Sequence, residues 1–135
     1  LYTVKKSNFN LSKVFFHGNN KTFEELKYAI DNDIGYIVID SISEAKDIEK
    51  ICSLYNKKQK VLIRVNPGIE AHTHHYIQTA KIDSKFGFSI ENGDADVAIK
   101  YVLNLKNLNL VWLHCHIGSQ IFEKKSFVLA VDKMT

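Results

Sequence analysis

The chain has 135 residues, 45% of them hydrophobic and 24% charged, an ordinary globular composition within the length of one domain. Eighteen basic against fifteen acidic side chains give +3, and the lysines are scattered rather than gathered in a stripe, so nothing points to a nucleic-acid binder. Cys52 and Cys115 stand far apart without paired spacing, which argues against a disulfide framework and for a reducing, cytoplasmic setting, and no apolar run approaches the ~20 residues that span a bilayer.

In chain order, Val14 to Phe16 is the first short apolar run. Runs that are apolar on consecutive positions are what strands of a parallel sheet covered on both faces require. Directly after it comes His17-Gly18-Asn19-Asn20-Lys21. This segment reads either as a strand-to-helix turn, with Gly18 and the asparagines supplying unusual backbone angles, or as a loop facing a cofactor. Thr22, with Glu25 three residues on, has capping-box spacing, and Phe23, Leu26, Ala29 and Ile30 then share one helical face. Tyr36 to Ile39 is a second strand. Ser41 with Glu44 repeats the capping signal, and Ala45, Ile48, Ile51, Cys52 and Tyr55 continue a stripe at threes and fours.

Val61 to Val65 is a third strand and contains Arg64, followed by Asn66-Pro67-Gly68. An arginine inside an apolar strand must meet an anion or acceptors, since an unpaired buried charge is very costly. A structural ion pair and a role in a pocket are both open, and the strand-end position favours the pocket. His72-Thr73-His74-His75, together with the later His114-Cys115-His116, raises the question of zinc, but the spacing resembles no compact zinc module and no metal site is expected. Lys85 reads by composition as a solvated flank, and Phe86 to Phe88 is a weak strand. A helix is expected from near Asp94, with Ala95, Ala98, Ile99 and Val102 inward.

Leu110 to Leu113 is the next strand, and it runs into His114-Cys115-His116-Ile117-Gly118-Ser119-Gln120. Side-chain alternation puts His114 and His116 on one face and Cys115 on the other. A Gly118-Ser119 pair after a buried strand can bring backbone N–H groups and a hydroxyl close to a phosphate. His116 either stacks on a flat aromatic ligand or is a hydrogen-bonded core histidine. Phe127, Ala130, Val131 and Met134 suggest a last helix.

Strand-helix alternation with one proline and no Gly/Ser-rich linker predicts a single α/β unit with a parallel sheet. An open doubly wound sheet and part of a (β/α)8 barrel share this pattern. In both, ligand sites form at the carboxyl ends of strands, where the polar clusters fall.

Taken together, HGNNK (His17–Lys21), RVNPG (Arg64–Gly68), AHTH (Ala71–His74), SKFG (Ser84–Gly87) and LHCHIGSQ (Leu113–Gln120) resemble the pyridoxal-phosphate-dependent ornithine/diaminopimelate/arginine decarboxylase family. AHTH and HCHIGSQ lean toward its diaminopimelate branch. The resemblance implies an α/β fold, a partial (β/α)8 TIM barrel of the alanine-racemase-like type, with a β-rich C-terminal domain following in family members. Residues 1–135 are then the central part of a barrel that needs about 250 residues in full. The start at Leu1 and the stop at Thr135 inside a helical pattern read as cut ends.

The implied cofactor is pyridoxal 5'-phosphate. His116 would stack on its ring, Ser119 would bind its phosphate, and Gly118 would let the backbone approach. Arg64 would lie near the cofactor, with Asn19 in a cofactor-facing turn, and Lys85 near a dimer interface and the active site. The Schiff-base lysine of the family belongs to an upstream Lys-Ala-Asn segment, so no catalytic residue is expected in this chain, and Lys21 is not assigned that role. For the intact protein the resemblance implies a cytoplasmic homodimer that decarboxylates meso-2,6-diaminopimelate to L-lysine. The alternatives are a related decarboxylase of ornithine, arginine or carboxylated polyamines, and a non-catalytic barrel homologue with a binding or regulatory role. The isolated piece is expected to be inactive and poorly stable, because a partial barrel exposes strand edges.

Overall fold

Strand β1 (Phe15–Phe16) pairs with β2 (Tyr36–Ile39), β2 with β3 (Gln59–Asn66), and β3 with β5 (Leu108–Cys115), every pair parallel. A short β4 (Phe88–Ser89) joins only the end of β3, at Val65 and Asn66, beyond the last β2 pairing at Ile39 and Ile63. These relations come from a computed structural model that describes residues 1–69, 86–119 and 121–135. The AHTH segment, His75, Ser84, Lys85 and Gln120 lie outside the described residues.

The long strands are neighbours in chain order. A doubly wound sheet requires a reversal of that order, and the described strands have none. The helices α2 (Phe23–Asp31), α3 (Ile42–Tyr55) and α4 (Asp94–Leu103) bury Leu26, Ala29, Ile30, Ala45, Ile48, Ile51, Cys52, Ala95, Ala98 and Val102 in one cluster with Ile37, Ile39, Val61, Ile63 and Val65 of the strands. One sheet face thus meets the helices. Chain-order neighbours with helices on one side are an arc of barrel wall.

Alternation along the strands leaves Tyr36, Val38, Lys60, Leu62 and Arg64 for the opposite face. Strand β5 reaches the same arrangement through an irregularity. Val61 pairs with Leu110, but Leu62 pairs with Trp112, so one extra residue, Val111, is inserted. A one-residue insertion exchanges the two faces for everything after it. Beyond the bulge Leu113 and Cys115 pack against the helix cluster, while Trp112 and His114 stand beside Leu62 and Arg64. On that face Phe15 stacks on Tyr36 with ring centroids 4.3 Å apart, and Trp112 lies 5.4 Å from Tyr36.

The capping signals resolve differently at the two helices. At α2 the box is complete, with Thr22 accepting from the Glu25 N–H and Glu25 from the Thr22 N–H. At α3, Ser41 Oγ accepts from the Glu44 N–H at 3.2 Å, but Glu44 Oε2 accepts from the N–H of Asp40 at 3.1 Å. The expected reciprocal bond to Ser41 is replaced because the Glu44 carboxylate is drawn inward by a lysine.

Other expectations shift in detail. The strand expected at Phe86 to Phe88 starts only at Phe88, since Gly87 has φ +76, outside extended geometry. Helix α5 (Lys124–Met134) forms, yet only Ser126 and Ala130 are buried in it, and Phe127 and Val131 remain exposed. Helix α1 (Tyr2–Lys6) and a 3-10 turn (Leu11–Lys13) bury nothing, so they leave no apolar stripe to read.

That turn is nevertheless anchored, since the Gly35 N–H donates to Leu11 O at 2.9 Å. A Cβ on Gly35 would come 2.1 Å from the carbonyl oxygen of Ser12. Backbone, unlike a flexible side chain, cannot step aside cheaply. Gly35→Ala is therefore expected to cost about 3 kcal/mol or more, read as a fall in the urea midpoint; an unchanged midpoint would show that this close approach does not constrain the entry to β2.

Candidate functional site

Each parallel strand ends on the same side of the sheet, and several of the described polar residues of the sequence motifs lie there. His17 follows β1, Asp40 follows β2, Arg64 lies near the end of β3, and His114 lies near the end of β5 with His116 just beyond. Arg64 Nη1 donates to Asp40 Oδ1 at 3.3 Å, with the two side chains 13% and 5% exposed. The pair satisfies the arginine that the sequence placed inside an apolar strand. It does so with a residue the sequence reading did not single out. The available signal was Asp40's position, immediately after an apolar run and in step with Tyr36 and Val38.

Phe86 covers the guanidinium, its ring centroid 5.1 Å from Arg64 Cζ. Gly87 beside it passes so close to the end of β3 that a Cβ would sit 2.8 Å from Arg64 O. The glycine of the Lys-Phe-Gly motif is thus needed for both its positive φ and its lack of a side chain.

The His17 and His114 rings meet edge to face, with centroids 4.6 Å apart. Partial burial lowers the His114 pKa from 6.5, and His17, Arg64 and His116 add to the effect while Asp40 opposes it. For His17 the causes are loss of solvent, then Arg64 and Lys21, again against Asp40. Both rings are held toward the neutral state. His114 Nδ1 is buried and has no hydrogen-bond partner among the described residues. Cys115 points to the opposite side, where burial raises its thiol pKa.

Lys21 closes the back of this cluster. Its Nζ lies 2.7 Å from Glu44 Oε1, with the side chains 3% and 6% exposed, and it donates to Val38 O at 2.8 Å and to Gly18 O. Burial pushes the Glu44 carboxyl above its usual value even against the pull of Lys21. So Lys21 is committed to structure at the strand ends.

Of the sequence-predicted site residues, Arg64 is within the cluster, and His116 is exposed at its rim and acts electrostatically on both His17 and His114. Gly118, with φ +127, and Ser119 are exposed in the turn that follows β5. Asn19 is exposed in the turn after β1. The site thus offers a paired cation, imidazoles whose protonated form is disfavoured, an exposed ring, and a glycine turn with an exposed hydroxyl.

A family model for the pyridoxal-dependent decarboxylase, pyridoxal binding domain, matches residues 1–135. The chain belongs to this family. It is 49% identical over 134 residues to diaminopimelate decarboxylase of Bacillus methanolicus, covering 99% of this chain and 31% of that protein. The crystal structure of diaminopimelate decarboxylase from M. jannaschii in complex with L-lysine superposes with a TM-score of 0.85 at 37% identity, over 98% of this chain and 31% of the other. Alanine racemase of Clostridium difficile shares the fold, with a TM-score of 0.68 at 14% identity over 98% of this chain and 32% of that one. The expected alanine-racemase-like partial barrel is therefore the fold observed. The chain spans about a third of the length of the relatives it matches. Among the described residues no helix is long and apolar enough to cross a membrane.

The lowered histidine pKa values carry a sign for stability. Above their ordinary value of 6.5, folded and unfolded chains both hold neutral rings. As pH falls through that value the unfolded chain takes up protons first, so stability declines until the lowered folded values are passed. Urea unfolding from about pH 7.5 to about pH 5.5 should show this decline, and the double variant His17→Gln/His114→Gln should show less of it. Identical slopes for the two proteins would remove the claim.

Proposed function

We propose that this chain is the cofactor-holding part of a longer protein that decarboxylates meso-2,6-diaminopimelate to L-lysine. The observation carrying the proposal is the strand end at His114, delivered by the β5 bulge to the same face as the Arg64–Asp40 pair and followed by His116, Gly118 and Ser119. Residues 1–135 then form the central part of the barrel, and the remaining wall comes from the rest of the complete protein.

The residues present fit pyridoxal 5'-phosphate in their chemistry. An exposed imidazole at His116 offers a face to a flat ring. The Gly118 turn can bring backbone N–H groups near an anion, and the exposed Ser119 hydroxyl can donate to a phosphate oxygen. His114 Nδ1, buried without a partner among the described residues, is a polar atom still available to a bound group or ordered water. When bound, the cofactor supplies the electron sink for the charge left as carbon dioxide departs.

The protein's part is binding and orientation. His116 holds the ring without serving as the main base, and Gly118 and Ser119 fix the phosphate. Burial disfavours the protonated form of His17 and His114, and the field of Arg64, partly balanced by Asp40, adds to that. Asn19, exposed in the turn after β1, is assigned to the cofactor-facing side of that turn. The lysine that links the cofactor is assigned to the rest of the protein, and Lys85 to the margin of the site near a subunit contact in a cytoplasmic homodimer.

The L-lysine bound in the M. jannaschii relative is the product this reading requires. Purified complete protein, supplied with pyridoxal phosphate and in turn with meso-diaminopimelate, ornithine, arginine and a carboxylated polyamine, is expected to release carbon dioxide and L-lysine from the first alone. Release from another substrate and not from diaminopimelate would reassign it within the family, and none from any would favour a binding or regulatory homologue. Ser119→Ala is expected to lose one charge-assisted hydrogen bond, about 1.5–3 kcal/mol, or roughly ten- to a hundredfold in cofactor affinity by equilibrium dialysis. Unchanged affinity would remove Ser119 from the phosphate site.

A further inference from the structure

Strand β1 is only two residues long and holds its neighbour through two register pairs, Phe15 with Tyr36 and Phe16 with Ile37. That is a weak hold on the turn it feeds, which carries His17 and Asn19. What fixes the turn is Lys21. Its buried ammonium ties Gly18 O within the turn to Val38 O near the end of β2 and to the Glu44 carboxylate in the first turn of α3. The other Glu44 oxygen takes the N–H of Asp40, and the Asp40 carboxylate takes Arg64 on β3. A continuous line of charged contacts therefore runs from the β1 turn through Lys21, Glu44 and Asp40 to Arg64.

A buried ion pair is a poor device for stability alone. Removing two charges from water costs about as much as their attraction returns, and a well-packed apolar pair often serves as well or better. What charged hydrogen bonds supply and apolar contacts lack is direction. Three backbone groups at the ends of two strands are fixed by this one pair.

We infer that Lys21 and Glu44 are positioning residues of the cofactor site, setting the His17–Asn19 turn and the Asp40–Arg64 pair without touching the cofactor. The inference rests on the pyridoxal phosphate reading above. Its consequence is that loss of the pair disorders the site more than the fold.

Two variants of the complete protein test it: Lys21→Met/Glu44→Leu, which replaces the pair by apolar side chains of similar bulk, and Glu44→Gln, which keeps the shape and one acceptor. Thermal midpoint, pyridoxal phosphate affinity by dialysis and the visible circular dichroism band of the bound cofactor are compared with the unmodified protein. The double variant is expected to melt within about 5 °C of the parent, to bind cofactor about tenfold more weakly, as outer partners of a bound group do, and to show a diminished dichroic band. Glu44→Gln is expected to move affinity and band in the same direction. A folded variant with affinity within about twofold of the parent and an unaltered band would overturn the inference, and Glu44→Gln decides alone if the double variant does not fold. If the unmodified protein takes up no pyridoxal phosphate, the cofactor reading itself falls and the inference with it.

Discussion

Parallel strands point successive side chains to opposite faces, and this alternation governs almost everything the molecule can do. It delivers Ile37, Ile39, Val61, Ile63 and Val65 to the helices and leaves the other face for Tyr36, Val38, Leu62 and Arg64. In β5 the alternation is interrupted once, at Val111. Had the register run on unbroken, His114 would stand opposite Val65 and face the helices, while Leu113 would stand opposite Arg64. The insertion trades a local loss of pairing for the correct side of the sheet. Bulges beside functional strand ends commonly re-aim side chains in this way.

The face so equipped is electrostatically economical. Arg64 is nearly matched by Asp40 and Lys21 by Glu44, so two cations and two anions share a small region with little net charge. Unlike a free surface pair, each is shielded from solvent, and unpairing one member would leave its partner buried and uncompensated. The neutral histidines belong to this balance. Loss of water first, and the field of Arg64 with it, disfavour the imidazolium at both rings, Lys21 adds to this at His17, and Asp40 opposes it. A site arranged so presents polar ring atoms near neutral pH without adding charge to be neutralised.

Much of this was legible in the sequence because it depends on local chemistry. The stripes Leu26–Ala29–Ile30 and Ala45–Ile48–Ile51 repeat at helical spacing, and the strand runs are short, branched and consecutive. Arg64 stood out because apolar neighbours left its charge unexplained. The motifs gave the family, and the comparisons agree with it. What could not be read was anything set by the register between strands. The Val111 insertion is invisible in LNLVWLHC, since each residue there suits a strand equally well. Asp40 and Glu44 were hidden for a related reason. One looked like the residue after a strand and the other like half of a capping box, and only the approach of Lys21 across 23 positions of sequence gives Glu44 its other role.

Cys52 shows what the helix-facing layer makes possible. It sits fully buried in α3, and burial pushes its thiol up to about 11. A thiol so protonated and so covered reacts with alkylating reagents only when the layer opens. The chain therefore carries an internal clock: the rate at which Cys52 becomes modified measures how often α3 lifts from the sheet, independently of any event at the strand ends.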